Sequence, residues 1–200
     1  LIQRALNTAK ALFQDSDIYV VTDSEEISLI CQRNNVNYQY DKSLRLNTAN
    51  ILKELKFYMQ EQARSYNNII LYRASTPLVD HHDIQNGYEI FVKDGADILV
   101  TLKKQEHCIW EDANGHPDHL IFSEKTEPIL IEIKSFFILK SDILNGDSNR
   151  HAVLPYYLDE KAIEINSYQD WWICEKLLKK KRILFVVAGY PAIGLGHIYR

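Results

Sequence analysis

The sequence predicts an α/β fold in which a mostly parallel sheet carries helices on both faces. Three observations predict it. Short β-branched or apolar runs bounded by polar turns have the length of buried strands. Between them lie segments whose apolar residues recur at three- and four-residue steps, the helical partners of strands in βαβ units. The polar residues best suited to chemistry follow directly on the strand-like runs, where open α/β sheets bind ligands.

Taken in order, Ile2, Ala5, Leu6, Ala9, Leu12 and Phe13 keep the helical step and predict an amphipathic first helix. Ile18 to Thr22 is a short β-branched run and predicts a buried strand. Asp23 with Glu26 has the spacing of a capping box, after which Ile27, Ile30 and Cys31 continue a helix. Asn47 is placed to cap the next helix, whose apolar face uses Ile51, Leu52, Leu55, Tyr58 and Met59. Asn68 to Arg73 predicts a second buried strand, closed by Pro77. A helix around Asp83 to Lys93 and a strand over Asp97 to Leu102 follow.

Residues 105 to 150 break this rhythm. His107 to His119 is polar and turn-rich, with Asn114-Gly115 as a turn signal. Ile129 to Leu139 is strand-like and Asn145 to Arg150 is a polar loop. An excursion of this kind forms a substrate lid, a dimer arm or a plain surface insertion. Tyr168 to Leu178 predicts a helix with Trp171, Ile173, Cys174 and Leu177 largely apolar, and Lys179 to Arg182 reads as a solvated helix end and linker. The run Ile183 to Ala188 then starts a new strand that leads into Gly194-Leu195-Gly196-His197. A strand and a glycine-rich turn cannot bury themselves. Residues 179–200 are therefore expected to open a second domain.

Composition narrows the function classes. A net charge of −4 and a pI of about 6.0 argue against a dedicated nucleic-acid surface, which shows as a basic excess. Ile18 to Val21 and Ile183 to Ala188 are among the longest apolar runs, far short of the roughly 18 residues that span a bilayer. Cys31, Cys108 and Cys174 are odd in number and widely spaced, which fits reduced core thiols in a cytoplasmic protein.

Three segments place polar side chains at predicted strand ends: Thr22 to Glu26, Arg73 to Leu78, and Ala162 to Asn166. In the third, Glu164 and Asn166 fall on one side of an extended segment, an oxygen-bearing pair able to take a hard cation such as Mg²⁺. The expectation is that these three edges converge on one crevice.

Their order along the chain resembles the acylneuraminate (CMP-sialic acid) cytidylyltransferases. Ile18 to Ile27 is similar to that family's strand-and-helix signature, Ser75-Thr76-Pro77-Leu78 to its Thr-Ser-Pro-Leu turn, and Ala162 to Asp170 to its closing Ile-Asp-Ile-Asp stretch with a following Asp. The resemblance covers about residues 1–178. It implies a Rossmann-like nucleotide-diphospho-sugar transferase fold and a reaction of CTP with a nonulosonic acid sugar to give CMP-sugar and pyrophosphate. It also implies Mg²⁺ as cofactor and a homodimer.

By position it makes Arg73, Ser75, Thr76 and Phe137 substrate-binding and gives Glu164 and Asn166 the metal-binding place. Arg73 stands where the family has Gln, and Glu-x-Asn replaces Asp-x-Asp, which lowers the ligand charge by one unit. The family's N-terminal phosphate-binding loop has no counterpart within residues 1–178, so the 200-residue piece is expected to be weakly active or inactive alone. The tail, with Gly194, Gly196 and His197, is similar to the start of nucleotide-sugar hydrolase domains fused behind such enzymes. Two other readings stand beside this one: a protein that is chiefly a nucleotide-sugar hydrolase or glycosyltransferase-like enzyme acting through the tail, and a degenerate, non-catalytic nucleotide-sugar-binding module.

Overall fold

In a computed structural model, the structure describes residues 1–44, 51–59, 66–105, 109–112, 120–123, 128–144 and 151–179. Asn47, Cys108, Asn114-Gly115, Asn145 to Arg150 and the tail with Gly194, Gly196 and His197 lie outside the described residues.

The elements are α1 (Ile2–Lys10), β1 (Tyr19–Thr22), α2 (Glu25–Arg33), β2 (Asn37–Tyr40), α3 (Ile51–Met59), β3 (Asn68–Tyr72), α4 (His81–Asp94), β4 (Ile98–Gln105), β5 (Ile109–Asp112), β6 (Leu120–Ser123), β7 (Ile129–Lys140), β8 (Val153–Tyr157) and α5 (Tyr168–Lys179). The principal sheet has the order β3-β7-β4-β8. Here β4 and β8 run parallel while β7 opposes both β3 and β4, so three strands point one way and β7 is reversed. β1 and β2 form a parallel pair, and β5 and β6 an antiparallel one.

The two-residue period of strands divides the core between the sheet's faces. Leu99, Phe136 and Ile138 meet Val79, Ile84 and Phe91 on one face, under α4. Ile98 and Leu139, each one position along, pack with Ile69, Leu55 of α3 and Leu144 on the other. Helices therefore cover both faces, as expected. α1 packs Leu6 against Ile18 and Val36 and stops at Lys10, short of Phe13; the amides of Leu12 and Phe13 turn back to the Ala9 carbonyl. The same helix crosses to the principal sheet, where Arg4 Nε donates to the Pro77 carbonyl.

The cap of α2 departs from the expectation. The helix starts at Glu25, which makes Ser24 its N-cap, and Ser24 Oγ accepts from the Ile27 amide at 3.4 Å. Asp23 lies one residue too early and is exposed. Ser24→Ala is expected to cost about 1 kcal/mol, and Asp23→Ala less than about 0.5 kcal/mol. Urea denaturation of the two variants checks this, and the reverse order would overturn the cap assignment.

Four strands were not anticipated: β2, β8 and the antiparallel pair of β5 and β6, with β5 lying inside His107 to His119, which the sequence marks as turn-rich. β2 reads Asn-Tyr-Gln-Tyr and offers no apolar run, yet it pairs with β1 over Tyr19↔Asn37 to Thr22↔Tyr40. β8 carries Pro155 at its centre and lies at the sheet edge, the place in a sheet that tolerates a proline.

β7 leaves its ladder midway. Val100 pairs with Phe137 and Leu102 with Glu132, so Thr101 alone faces Ile133 to Phe136. The carbonyls freed by this bulge are met from within. The Thr101 hydroxyl is in bonding reach of the Ile133 and Phe136 carbonyls, 3.1 Å from the latter, and accepts from Ser135 Oγ at 3.0 Å. Both hydroxyl side chains are buried. Bulges of this kind re-aim side chains next to binding sites.

Candidate functional site

β3 ends where the bulge begins. The Arg73 amide donates to the Ser135 carbonyl at 2.8 Å, which extends the pairing one residue past the strand. The chain then turns sharply. Thr76 closes the turn with two bonds to the Arg73 carbonyl, from its amide at 3.3 Å and from its hydroxyl at 3.0 Å. Thr76 is completely buried, so its hydroxyl shapes the turn from inside. Ser75 is half-buried at the turn's outer side.

Asp80 caps α4 through a reciprocal capping box. Its Oδ1 accepts from the His82 and Asp83 amides, while Asp83 Oδ2 accepts from the Asp80 amide at 2.9 Å. Lys161, from the connector after β8, reaches both carboxylates: its Nζ is 3.0 Å from Asp80 Oδ2 and 2.7 Å from Asp83 Oδ2. Burial alone would raise the Asp80 pKa, but the Lys161 ammonium and the backbone amides outweigh it and hold the carboxyl below its ordinary value. The same partners overcome the burial of Lys161 and raise its pKa.

The connector carries no regular structure over residues 162–166, where a strand-like stretch was expected. It is pinned to the first turn, since the Ile165 amide donates to the Ser75 carbonyl at 2.9 Å. This brings Glu164 and Asn166 beside the Ser75 turn. Glu164 is half-buried and, among the described residues, has no hydrogen-bond or salt-bridge partner. Asn166 is exposed, and its amide donates to Asp170. Asp170 Oδ2 also accepts from the Ser167 amide and hydroxyl, and Ser167 Oγ accepts in return from the Asp170 amide. The Ser167 hydroxyl bond, followed by that from Asn166, lowers the Asp170 pKa, so this carboxylate serves the helix start.

Arg73 and Phe137 line a shared shallow depression with Glu132, Lys134 and Thr101. Phe137 sits on β7 opposite Leu71 and Val100. The cleft's ionisable side chains are two cations and one carboxylate, which favours an anionic occupant. A second cleft of about 170 Å³, lined by Asp83, Tyr156, Asp159, Glu160 and Lys161, has the opposite balance.

The structure thus joins two of the three predicted edges. The third, at Thr22 to Glu26, bonds elsewhere: the Thr22 carbonyl accepts from the Asp41 amide at the end of β2. Lys134 and Lys161 were not anticipated, because each stands singly in a segment with no motif and becomes notable only through tertiary placement. Cys31 and Cys174 are buried free thiols, and burial raises the pKa of both, consistent with a packing role. No helix among the described residues is long and apolar enough to cross a membrane. Among the described residues no group of three or more His, Cys, Asp or Glu could hold a metal ion.

The mixed α/β architecture matches the nucleotide-diphospho-sugar transferase fold. Two solved structures of that fold are similar to this chain. One is 4-diphosphocytidyl-2C-methyl-D-erythritol synthase from Anaerococcus prevotii DSM 20548, at 11% identity and a TM-score of 0.66, covering 90% of this chain and 86% of that one. The other is CMP:2-keto-3-deoxy-manno-octonic acid synthetase complexed with CTP, at 12% identity and a TM-score of 0.61, covering 88% and 86%. No protein-family model and no curated protein matches the sequence. At these identities the likeness is one of fold.

Proposed function

We propose that this chain is the nucleotide-sugar-handling domain of a cytidylyltransferase that joins CMP to a nonulosonic, sialic-acid-type sugar. The carrying observation is the junction at the Ser75 turn. The Ile165-to-Ser75 bond sets Glu164, a half-buried carboxylate without a partner among the described residues, beside the turn that follows Arg73, whose own cleft carries two cations and one carboxylate. The fold supports the reading, since both similar structures are named for cytidyl or CMP chemistry.

In the proposed reaction the sugar's anomeric hydroxyl oxygen bonds to the α-phosphorus of CTP. The bond from that phosphorus to the bridging oxygen breaks, pyrophosphate leaves, and the hydroxyl proton passes to solvent. Arg73 and Lys134 offer positive charge to the sugar carboxylate or to phosphate oxygens. Glu164 and Asn166 are the residues that would hold Mg²⁺. Two neighbouring oxygen donors suit an ion that keeps most of its shell as water and substrate phosphate, and the ion neutralises phosphate charge when bound. A homodimer in the cytoplasm belongs to the same reading; Trp171, Trp172, Ile173 and Leu177 of α5 give it an exposed apolar surface to draw on.

Full-length protein supplied with CTP, Mg²⁺ and a panel of nonulosonic acids is expected to release pyrophosphate with at least one of them. Release with none, under conditions where CTP binds, would overturn the sugar class. Absence of CTP binding as well would overturn the cytidylyltransferase reading.

A further inference from the structure

We propose that Lys161 is a positioning residue: its clasp on the α4 capping box sets where Glu164 stands against the Ser75 turn. The inference rests on the functional reading above and deepens it.

Residues 158–166 link β8 to α5 without regular structure and are held at few points. Leu158 is buried, and its amide donates to the Leu102 carbonyl. Ala162 packs into the core, and the Ile165 amide bonds Ser75. Lys161 is the one residue of this segment with an ionic bond among the described residues, reaching Asp83 Oδ1 at 2.9 Å as well as the two oxygens named above.

Glu164 follows three residues later, so at most roughly 10 Å of chain separates the clasp from the carboxylate. A displacement at Lys161 therefore has little chain in which to dissipate. The clasp closes on Asp80 and Asp83, and the turn that ends at Asp80 begins at Ser75, where Ile165 is bonded. The Lys161 and Ile165 contacts thus fasten the connector on both sides of Glu164 to one continuous stretch, residues 75–83.

Partly exposed ion pairs contribute little to stability. A lysine carrying three short contacts to two carboxylates at the lip of a cleft is better accounted for by geometry than by stability. Two carboxylates closing on one lysine also fix its direction, because each limits the swing the other would allow. Lys161 bonds Asp80 and Asp83 and not Glu164 itself, so its effect on Glu164 passes through the three-residue backbone between them.

The test measures the Mg²⁺ concentration that half-saturates CTP binding by calorimetry, for wild type, Lys161→Met, Lys161→Arg, Glu164→Ala and the double variant Lys161→Met/Glu164→Ala. Hydrogen exchange over residues 162–166 and the melting temperature are recorded alongside. Lys161→Met is expected to raise the half-saturating Mg²⁺ about ten-fold and to speed exchange at Ile165, with little change in melting temperature. Lys161→Arg should recover most of the loss. In the Glu164→Ala background, Lys161→Met should add nothing, as expected of a residue acting through Glu164.

A wild type that titrates with Mg²⁺ and a Lys161→Met variant that titrates identically would overturn the inference and leave the functional reading intact. Full additivity of the two variants would do the same. A wild type with no Mg²⁺-dependent CTP binding would instead overturn the functional reading and this inference together.

Discussion

Phe136→Ala is expected to destabilise the protein by about 3–5 kcal/mol, the usual range for truncating a buried aromatic ring. Phe136 is only 3% exposed and sits in the α4-side core with Ile84, Phe91, Leu99 and Ile138. Its ring packs against Tyr156, with centroids 5.5 Å apart and planes inclined by 52°. Opposite lies Gly87 of α4, where an added Cβ would come within 3.0 Å of the ring. The helix can approach so closely only because that position has no side chain. Neither neighbour is built to collapse into the space a lost ring would leave. Urea denaturation reads the loss directly, and a cost below about 1 kcal/mol would mean that the core repacks. The same residue's carbonyl is served by Thr101 in the bulge, so the variant should also weaken the wall of the Arg73 cleft.

Glu164→Ala is the second large effect. It is expected to raise the Mg²⁺ needed for half-maximal CTP binding by roughly ten-fold or more while leaving the melting temperature near that of wild type. The carboxylate has no described protein partner to lose, and Asn166 is neutral, so the change removes the only formal charge of the two-residue donor set. Hard-cation affinity follows ligand charge. An unchanged Mg²⁺ titration would remove Glu164 from the site.

Much of the fold was legible because burial leaves periodic marks. Ile18 to Thr22, Asn68 to Arg73 and Ile129 to Leu139 are apolar enough to announce strands, and all three are strands to within about one residue. β2 left no such mark, because Tyr19 to Thr22 supply most of that pair's apolar surface and Asn37 to Tyr40 face outward or half outward. β8 was hidden by Pro155, a residue that argues against a strand anywhere except an edge. The Ser24 cap was missed by one position, a shift that separates two polar residues of nearly equal capping power.

The site divides in the same way. Arg73, Ser75, Glu164 and Asn166 follow predicted strand ends or motifs and could be singled out one by one. That Ile165 bonds Ser75, or that Lys161 closes on Asp80 and Asp83, depends on contacts between residues roughly eighty to ninety positions apart. No local pattern encodes them.

The pairing of β3 with β7 has a kinetic consequence. Tyr19 meets Asn37 across a short stretch of chain, whereas Asn68 must find Lys140 across one about four times as long. Each doubling of a closed loop adds about 0.6 kcal/mol of entropic cost, so the longer closure is dearer by about 1 kcal/mol before any contact rewards it. Topologies dominated by such distant pairings fold slowly. Because Arg73 and the Ser135 bulge come together only in that distant pairing, a chain that has formed only the β1–β2 unit lacks the wall that Arg73 and Lys134 share.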